Sequence, residues 1–575
     1  MRKKEEMVAH RADVLVIGGG GAGTRAAIEV AERGKRALLV TKGQITHSGI
    51  TPLAQTSYQA VFDQDDTLDL HVKDTVEGGR FLGDQNLIET MVRKGPDTVD
   101  DLYRYGVKIR KAHSGYFQRK LPGQSKPRSI YLSLGGYGMM VGLKREILRH
   151  PNIEIYQDSI VTKILQKHGV PIGAFFVDLP EGCTHFVQAK AIVIATGGCE
   201  ELWDLADTPP ESVGDGIYLA FECGAELTDL EMMLFYPMVC VYPPALKGGV
   251  YPYETSLGPQ YAKGALLNVE GKRVLPEGEP PIRDTLFHIM IKELRDGRGT
   301  SHGGLILDIS KSPKSQEEIL SFLHDRTFYK FPRHFGIDIT KDPIEVAPAA
   351  HYQLGGIRIN ERGETNVRGL YAAGECAGNI HGANRLTGNA LLDTQVFGME
   401  AGKAGADTAD EREFYDANKE ELLAEQARVL AFMTEKSKSL SPAEVRKKIK
   451  GIMSRYLGVP RDEEGIQKGL EQLDEVVNED VPRMNIPRIK KYNVAWQDAL
   501  EVDFMAKVAR LVSHAARFRR ESRGHHYRSD YPEKDNANWL AHTALKLENE
   551  KIHLRKRPVV VTRHPFKGEE ESKAK

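Results

Sequence analysis

A short apolar run followed by closely spaced glycines marks the start of the chain. Residues 12–17 (ADVLVI) have the pattern of a buried strand, a helical segment covers 24–33, and a second apolar run covers 37–40. The glycines between the first strand and the helix are Gly18, Gly20, Gly21 and Gly23. Bare backbone N–H groups at such a helix start can bind a pyrophosphate. The order strand, turn, helix, strand therefore predicts a Rossmann-like dinucleotide site, the alternative being an ordinary Gly-rich turn.

The second strand ends on residues that differ from those of most dinucleotide sites. An acid at this point usually binds the adenosine ribose, but Thr41 and Lys42 stand here. A hydroxyl or backbone group would then hold the ribose, which disfavours a generic NAD site.

Three further segments extend the predicted cofactor site. Residues 48–55 (SGITPLAQ) are small and polar enough to lie along a flavin edge, although they could also form a surface loop. Residues 191–198 (AIVIATGG) predict a strand that ends beneath the cofactor, and a Gly-Asp-Gly triplet follows. The candidate cofactor residues in these segments are Ser48, Gly49, Thr51, Gln55, Ala195, Thr196, Gly197 and Asp215.

A dense cluster of glycines between residues 369 and 398 is the predicted reaction centre. Small residues let a backbone lie against a large planar ligand. A helical pattern begins near Asn389, which we expect to be the N-cap, and Ala390 and Leu391 follow as cofactor contacts. The positive end of this helix could stabilise a reduced flavin, with Arg385 as a nearby fixed cation. The alternative is an ordinary strand-to-helix turn.

Changes in composition divide the chain into five segments. Together with the glycine motifs above, these segments predict an α/β fold. It has a Rossmann-like FAD-binding domain, an inserted α+β capping domain and a C-terminal helical domain. The FAD-binding domain is expected in two stretches, 1–226 and 345–410, separated by a Pro- and Tyr-rich capping domain at 227–344. The helical domain follows at 411–540, and a C-terminal segment with a charged tail covers 541–575.

Charge and cysteine usage exclude several classes of protein. Lys plus Arg number 79 against 80 for Asp plus Glu, so nucleic acid is not an expected partner. The sequence contains no apolar run of the ~18 residues that a membrane span needs, and we expect a cytoplasmic protein. The five cysteines form no Cys-x-x-Cys pair, which argues against an iron–sulfur cluster, a zinc site or a disulfide framework in this chain.

Seven motifs spread over nearly the whole chain resemble the flavoprotein subunit of succinate dehydrogenase and fumarate reductase. The superfamily also holds L-aspartate oxidase and adenylylsulfate reductase. The motifs are VIGGGGAG, ATGG, GDG, AHYQLGG, GLYAAGEC, HGANRLTGN and RESRGHHYRSDYP. In this family too, a hydroxyl residue and a lysine replace the usual ribose acid.

The resemblance implies a reaction and roles for several residues. In such enzymes a hydride passes between FAD and one carbon of a dicarboxylate, and an arginine, here matched by Arg283, donates or accepts a proton at the neighbouring carbon. His351 and Arg385 match residues that bind the substrate carboxylates. Glu375 matches the position that binds the adenosine ribose of FAD, and His381 a position near the flavin. The alternatives are a salt-bridged surface arginine at 283 and a structural hydrogen-bonding histidine at 351.

Three departures from the family pattern concern the substrate and the flavin. Tyr236 replaces a substrate-binding histidine, and Lys263 replaces an acid that serves the proton path, so both count as candidate catalytic residues. Ile50 aligns with the histidine that bonds covalently to the flavin in quinone-linked members, and His47 lies three residues earlier. We therefore expect noncovalent FAD, which favours reduction over oxidation as the physiological direction.

The leading hypothesis is the flavoprotein subunit of a fumarate reductase-like or succinate dehydrogenase-like complex. It implies a small carboxylic acid substrate and a separate iron–sulfur subunit, and it leaves open membrane anchor subunits that would hold the protein at the inner face of the membrane. One alternative is a stand-alone L-aspartate oxidase-like enzyme or other unsaturated-acid reductase. Another is a non-catalytic flavoprotein that only carries electrons.

Overall fold

The computed structural model describes residues 7–55, 57–113, 115–324, 326–436 and 438–566. The predicted charged tail at 568–575 lies outside the described residues. The described strands, in chain order, are β1 Val8–Ile17, β2 Ala37–Val40, β3 Ser57–Gln59, β4 Gln118–Arg119, β5 Ser129–Tyr131, β6 Ile153–Tyr156, β7 Ser159–Lys167, β8 Val170–Asp178, β9 Cys183–Ile194, β10 Leu227–Thr228, β11 Met233–Tyr242, β12 Ala265–Leu267, β13 Leu305–Asp308, β14 Ile344–Gln353, β15 Gly356–Ile357, β16 Leu370–Ala372, β17 Ala541–Glu548 and β18 Lys551–Pro558.

The described α-helices alternate with these strands in the first half of the chain and dominate the region after β16. They are α1 Gly21–Glu32, α2 Leu68–Gly78, α3 Gln85–Arg104, α4 Gly135–Ile147, α5 Asp215–Glu222, α6 Tyr253–Leu257, α7 Arg283–Arg295, α8 Gln316–Leu323, α9 Thr327–Arg333, α10 Asn389–Glu411, α11 Lys419–Leu430, α12 Pro442–Tyr456, α13 Glu463–Glu475, α14 Val481–Arg483, α15 Val494–Phe518 and α16 Asn536–Trp539.

The largest sheet has seven strands in the order β6-β2-β1-β9-β8-β7, with β16 also paired to β9. β6, β2, β1, β9 and β16 run parallel, whereas β7 and β8 are antiparallel to their neighbours. Their apolar residues, among them Val14, Leu15, Ile192 and Val193, are fully buried, as expected for parallel strands covered on both faces. The predicted α/β class with a Rossmann-like sheet is confirmed.

Glycines allow α10 to pack closely against α1. A Cβ atom at Gly398 would lie 2.6 Å from the carbonyl oxygen of Ala22, and one at Gly402 would lie 2.7 Å from that of Ala26. Any side chain at these positions would push the two helices apart. The contact therefore brings the start of α10 beside the glycine turn before α1, although the two segments are far apart in the sequence.

The region between β11 and β14 has a hydrophobic core of its own. This core consists of residues between Tyr236 and Ala349, including Leu266, Leu286 and Val346. Four antiparallel strands in the order β11-β14-β13-β12 form its sheet. A separate core marks a distinct module, which we call the lid, while the predicted domain boundaries stay predictions.

The C-terminal helices share the core of the cofactor sheet rather than forming their own. Trp496, Leu500 and Val508 of α15 are fully buried within that larger cluster. After α16, β17 and β18 form a hairpin that pairs with β10, which the sequence analysis did not predict. In the part of the chain that the structure describes, no helix combines the length and the apolar character that crossing a membrane requires.

Candidate active site

The turn between β1 and α1 is shaped so that only glycine fits at two positions. Gly18 has a φ of +110°, and a Cβ atom there would lie 2.2 Å from the carbonyl oxygen of Ala195. A Cβ atom at Gly23 would lie 1.8 Å from the carbonyl oxygen of Gly18. Gly20 and Gly21 stand at the start of α1, where backbone N–H groups lack helical partners. The turn therefore fits a dinucleotide pyrophosphate at the positive end of the helix.

Two threonines lie beside this turn. Thr51 accepts a hydrogen bond from the Gly21 N–H, with 3.1 Å between Oγ1 and N. The hydroxyl of Thr196 is buried and has no partner among the described residues, next to Gly197, whose φ is +79°. A buried hydroxyl without a partner is costly unless a ligand pairs with it. These observations fit FAD.

The structure pairs Lys42 with carboxylates. Its Nζ atom lies 2.6 Å from the carbonyl oxygen of Glu211, 3.2 Å from Asp215 Oδ1 and 3.4 Å from Glu501 Oε1. Burial lowers the pKa of Lys42, but the two carboxylates outweigh it and raise the value above the ordinary range. Lys42 thus ties α5 and α15 to the end of β2, beside the buried Thr41. Direct contact of Lys42, Thr41 or Asp215 with the cofactor stays a prediction.

The segment from Ser48 to Gln55 lies between this turn and the surface. The Gly49 N–H donates to Glu211 Oε1 at 2.8 Å, and the Ser48 hydroxyl donates to the carbonyl oxygen of Gln44 at 3.0 Å. Gln55 is exposed. Its predicted place along the flavin edge has no support from these contacts and stays a prediction.

Ile50 and His47 lie in different surroundings. A Cβ atom at Gly197 would lie 4.0 Å from Ile50 Cδ1, so this side chain reaches the cofactor turn. His47 is exposed, and its ring centroid lies 6.3 Å from that of Tyr137. The histidine nearest to Ile50 in the sequence therefore points to a surface tyrosine.

Glu375 forms a buried pair with a second carboxyl group. The Gln353 N–H donates to both Glu375 Oε1 and Glu200 Oε1, each at 2.9 Å. Burial, and then the neighbouring Glu200 carboxylate, raise the pKa of Glu375 well above its usual range. Binding of the adenosine ribose by Glu375 stays a prediction.

The prediction that Asn389 caps α10 was wrong. Gly388, with a φ of +92°, is the N-cap, and Asn389 is the first helical residue. The Asn389 amide nitrogen donates to Thr75 Oγ1 at 3.1 Å, and its Oδ1 lies 3.0 Å from His71 Nε2. The side chain therefore faces the core. Contact of Asn389, Ala390 or Leu391 with the cofactor stays a prediction.

Arg283 is the first residue of α7 and is only 6% exposed. Its Cζ atom lies 5.1 Å above the ring of Tyr236. The Nε and Nη1 atoms are buried without partners among the described residues. Burial lowers the pKa of Arg283, but the Glu254 carboxylate together with Tyr253 and Tyr236 outweighs it and raises the value. A surface salt bridge, the alternative to a catalytic role, does not describe this residue.

Arg385, His351 and Asp207 form a chain of hydrogen bonds. Arg385 Nη2 lies 3.2 Å from His351 Nε2, and His351 Nδ1 lies 2.8 Å from Asp207 Oδ2. Because the guanidinium can only donate, the fitting tautomer carries its proton on Nδ1. Burial lowers the pKa of His351, and burial followed by the charge of Arg283 lowers that of Arg385 to about 10. Arg385 Nε is buried without a partner among the described residues.

Tyr236 joins the two halves of this group. Its ring centroid lies 5.0 Å from that of His351, and Arg283 lies over the same ring. Its hydroxyl donates to Glu254 Oε2 at 3.3 Å. The sequence analysis missed Glu254, although it is the acid of the motif PYETS in the Tyr-rich lid segment.

Lys263 lies elsewhere. Its side chain is 32% exposed, and its ammonium lies 3.6 Å from the exposed Glu277. It lines a lid cavity of about 270 Å³ together with Leu257 and Ile289. The acid near Arg283 is Glu254, so the structure does not bring Lys263 into the predicted catalytic group.

A second buried chain lies behind Arg385. The Arg385 guanidinium lies 4.3 Å from the ring centroid of Tyr352, whose hydroxyl donates to Asp393 Oδ2 at 3.3 Å. His381 Nε2 lies 3.4 Å from the same oxygen. Tyr352 and Asp393, which the sequence analysis missed, therefore fix Arg385 and His381 relative to α10.

The site combines a pyrophosphate cradle with buried, partly unpaired guanidinium groups from the lid and from the α10 turn. This combination indicates a class of enzyme. This is the class of FAD-dependent oxidoreductases. Residues 13–391 match the family described as FAD binding domain, and residues 446–572 match the family described as fumarate reductase flavoprotein C-term.

Comparisons with individual proteins agree. The chain is 35% identical to a subunit of the fumarate reductase (CoM/CoB) of Methanothermobacter marburgensis, over 92% of this chain and 96% of that protein. It is 36% identical to an uncharacterized FAD-dependent oxidoreductase of Methanocaldococcus jannaschii, over 91% and 94%. The structure of Mycobacterium smegmatis Sdh1 in complex with UQ1 superposes with a TM-score of 0.88 at 31% identity, over 97% and 96%.

The chain belongs to the succinate dehydrogenase and fumarate reductase flavoprotein family, and it is an FAD-dependent oxidoreductase of that type. The family resemblance found in the sequence is confirmed.

Proposed function

We propose that this chain is the flavoprotein subunit of a fumarate reductase-like complex that reduces an unsaturated dicarboxylate. The observation that carries the proposal is the pair of buried guanidinium groups, Arg283 from the lid and Arg385 from the α10 turn. Both have N–H donors without a partner among the described residues. Buried donors of this kind match carboxylate acceptors. Bound FAD, once reduced by electrons from the partner subunit, would supply a hydride to one carbon of the double bond.

The residues of this chain would bind the substrate and move the proton. Arg385, fixed by Tyr352 and His351, would bind one carboxylate with its free N–H groups. Arg283 would donate a proton to the carbon next to the one that receives the hydride. Glu254 and the hydroxyl of Tyr236 would return a proton to Arg283, because they are the acid–base groups beside it.

Reoxidation of the dithionite-reduced protein by a panel of acids tests the proposal. Fumarate should restore the oxidised flavin spectrum under anaerobic conditions, and fumarate reduction should be faster than succinate oxidation in the same preparation. Reoxidation by enoyl monocarboxylates but not by fumarate would show that the substrate is a monocarboxylate. Such a change would agree with Tyr236 in place of the family's substrate-binding histidine. Hydrogen peroxide formed from L-aspartate would support the stand-alone oxidase instead.

We propose that the FAD is noncovalent. Ile50 offers no nucleophile beside Gly197, and the exposed His47 faces Tyr137. Acid precipitation of the unmodified protein should leave all flavin in the supernatant. The Ile50→His variant is the comparison, because it restores the histidine that would bond covalently to the flavin and keep it in the pellet. Flavin retained by the unmodified protein after acid treatment would contradict this element of the proposal.

We propose that electrons enter from a separate iron–sulfur subunit that docks on α4. The start and outer face of this helix expose Leu134, Tyr137 and Val141, and the adjacent turn exposes Leu53. A Cβ atom at Gly136 would lie 1.8 Å from the carbonyl oxygen of Thr51, so this apolar face is continuous with the cofactor turn. The proposal is compatible with additional membrane anchor subunits, which would place the complex at the inner face of the cytoplasmic membrane.

A pair of charge substitutions tests the docking face. Val141→Glu should abolish fumarate reduction driven by the iron–sulfur subunit but keep reduction driven by a dithionite-reduced dye. Phe335→Glu, at a lid residue 51% exposed, should change neither activity. Equal effects of the two substitutions, or none from Val141→Glu, would reject α4 as the docking face.

A further inference from the structure

The hairpin formed by β8 and β9 places three potential metal ligands on one face. Asp178 ends β8 and pairs with Cys183, which begins β9. Directly paired residues of neighbouring strands share a face, and so do residues two apart on one strand. His185 therefore lies on the same face as Cys183 and Asp178. The group lies at the opposite end of the main sheet from the glycine turn that follows β1.

The distances between the donor atoms suit a tetrahedral metal ion. Cys183 Sγ lies 3.1 Å from His185 Nε2, and that nitrogen lies 3.6 Å from Asp178 Oδ2. Zinc bonds of ~2.3 Å to sulfur and ~2.0 Å to nitrogen or oxygen place tetrahedral ligands about 3.5 Å apart for S···N and about 3.3 Å for N···O. All three donor atoms lie within 4.8 Å of one another, so adjustments of the side chains would let them bind one ion.

The surroundings orient the imidazole as in a metal site. His185 is 5% exposed, and its Nδ1 atom lies 2.8 Å from His10 Nε2, which leaves Nε2 toward Cys183. The ring of Phe176 stacks on His185 with centroids 4.7 Å apart. A partner on the second ring nitrogen and an apolar wall are the usual support of a histidine ligand.

We propose that Asp178, Cys183 and His185 bind a divalent transition metal ion, and that the thiolate and imidazole select zinc. Cys183 is partly exposed, so a fourth position is open to water. The sequence analysis argued against a zinc site because the chain has no Cys-x-x-Cys pair. The hairpin register supplies the third ligand in place of a second cysteine.

The proposed ion would strengthen a contact between the cofactor sheet and the C-terminal helices. In the hairpin turn, the Leu179 carbonyl oxygen accepts a hydrogen bond from the Tyr492 N–H at 2.7 Å, and Glu181 pairs with Lys491 at 2.8 Å. A Cβ atom at Gly182 would lie 2.5 Å from the carbonyl carbon of Lys490. An ion that fixes both ends of this turn would hold the loop before α15.

Cobalt titration of the full-length flavoprotein, after treatment with a chelator, tests the proposal. One Co²⁺ per chain should bind with tetrahedral d–d bands at wavelengths longer than the flavin absorption, and Zn²⁺ should displace it. The Cys183→Ser and His185→Gln variants should lose this binding. His10→Ala should weaken it by about 10-fold to 100-fold, the usual effect of losing such a support.

The control is His150→Gln, because Glu32, Glu146 and His150 form another three-residue group that lacks a thiol. This variant should keep the tetrahedral signal. Binding that survives Cys183→Ser, or that is lost in His150→Gln, would overturn the proposal. X-ray absorption spectroscopy of the zinc-loaded unmodified protein does not depend on a variant that folds. A spectrum that shows no sulfur ligand to zinc would also overturn the proposal.

Discussion

The hydroxyl of Tyr236 donates a hydrogen bond to Glu254, with 3.3 Å between Oη and Oε2. Both residues are buried, and Arg283 lies over the tyrosine ring. A phenol in place of the family's histidine therefore contacts an acid that interacts with the proposed proton donor. Tyr236 and Glu254 thus connect the proposed substrate-binding position with the proposed source of the proton.

Replacing Glu254 with Gln should lower the turnover of fumarate reduction by about 100-fold, the lower end of what general acid–base groups contribute. The amide keeps the shape of the side chain but can no longer pass a proton to Arg283. Lys263→Met is the matched control, since Lys263 pairs with the exposed Glu277. Steady-state kcat with a reduced dye as donor measures both. A larger loss in Lys263→Met than in Glu254→Gln would restore the lysine as the proton relay.

The Tyr236→Phe variant should have kcat/KM about 10-fold lower, because the hydrogen bond that positions the Glu254 carboxylate is lost. Tyr236→His should bring the KM for fumarate down, since an imidazole can donate to a carboxylate without needing Glu254 as its acceptor. Initial rates over a range of fumarate concentrations separate the two effects. If both variants match the unmodified protein, this position contacts neither the substrate nor the proton path.

The Gly23→Ala variant should lose its FAD. The added Cβ atom would meet the Gly18 carbonyl oxygen at 1.8 Å, so the glycine turn cannot keep its shape. Gly451→Ala, inside α12, is the control, because its φ is not positive and no described residue lies within 4 Å of its Cβ position. The ratio of flavin absorbance to protein absorbance in purified samples measures occupancy. Full occupancy in Gly23→Ala would show that the cofactor binds elsewhere.

His71 should make the protein less stable in mild acid. Burial, and then the charge of Arg128, lower its pKa from 6.5 to about 4. Between pH 4 and pH 6.5 the unfolded chain binds more protons at this histidine than the folded chain does, so the unfolding free energy rises with pH. The contribution of His71 to stability is therefore lost as the pH falls from 6.5 toward 4. The full effect is about 3 kcal/mol at most.

The decrease in Tm between pH 7 and pH 5 measures this contribution. It should be smaller in His71→Gln than in the unmodified protein, and unchanged in His553→Gln, which replaces an exposed histidine. An identical decrease in all three proteins would show that His71 does not titrate in this window.

Local patterns predicted the cofactor fold well. The glycines from Gly18 to Gly23 follow a buried strand, and steric limits at such a turn depend on neighbours close in sequence. Asn389 shows the limit of this reasoning. The helix begins near Asn389 as expected, but Gly388 is its N-cap. The Asn389 amide instead pairs with His71 and Thr75, which lie far away in the sequence.

The substrate side depended on long-range contacts that no local pattern contains. Glu254 reaches Arg283 only because the lid folds α6 against α7, and Asp207 reaches His351 across the junction of lid and cofactor sheet. The C-terminal hairpin was missed for a related reason. The sequence of β18, KIHLRKRP, is mostly charged and exposed, and its pairing with β17 defines it as a strand.

The most direct test of the account is the rate at which fumarate reoxidises the dithionite-reduced flavin in a single turnover, compared between the unmodified protein and Arg283→Gln. We expect the variant to keep its FAD and to react about 1,000-fold more slowly, because the proposed proton donor is gone. A rate within about 2-fold of the unmodified protein, the effect of an ordinary surface substitution, would contradict a catalytic role for Arg283.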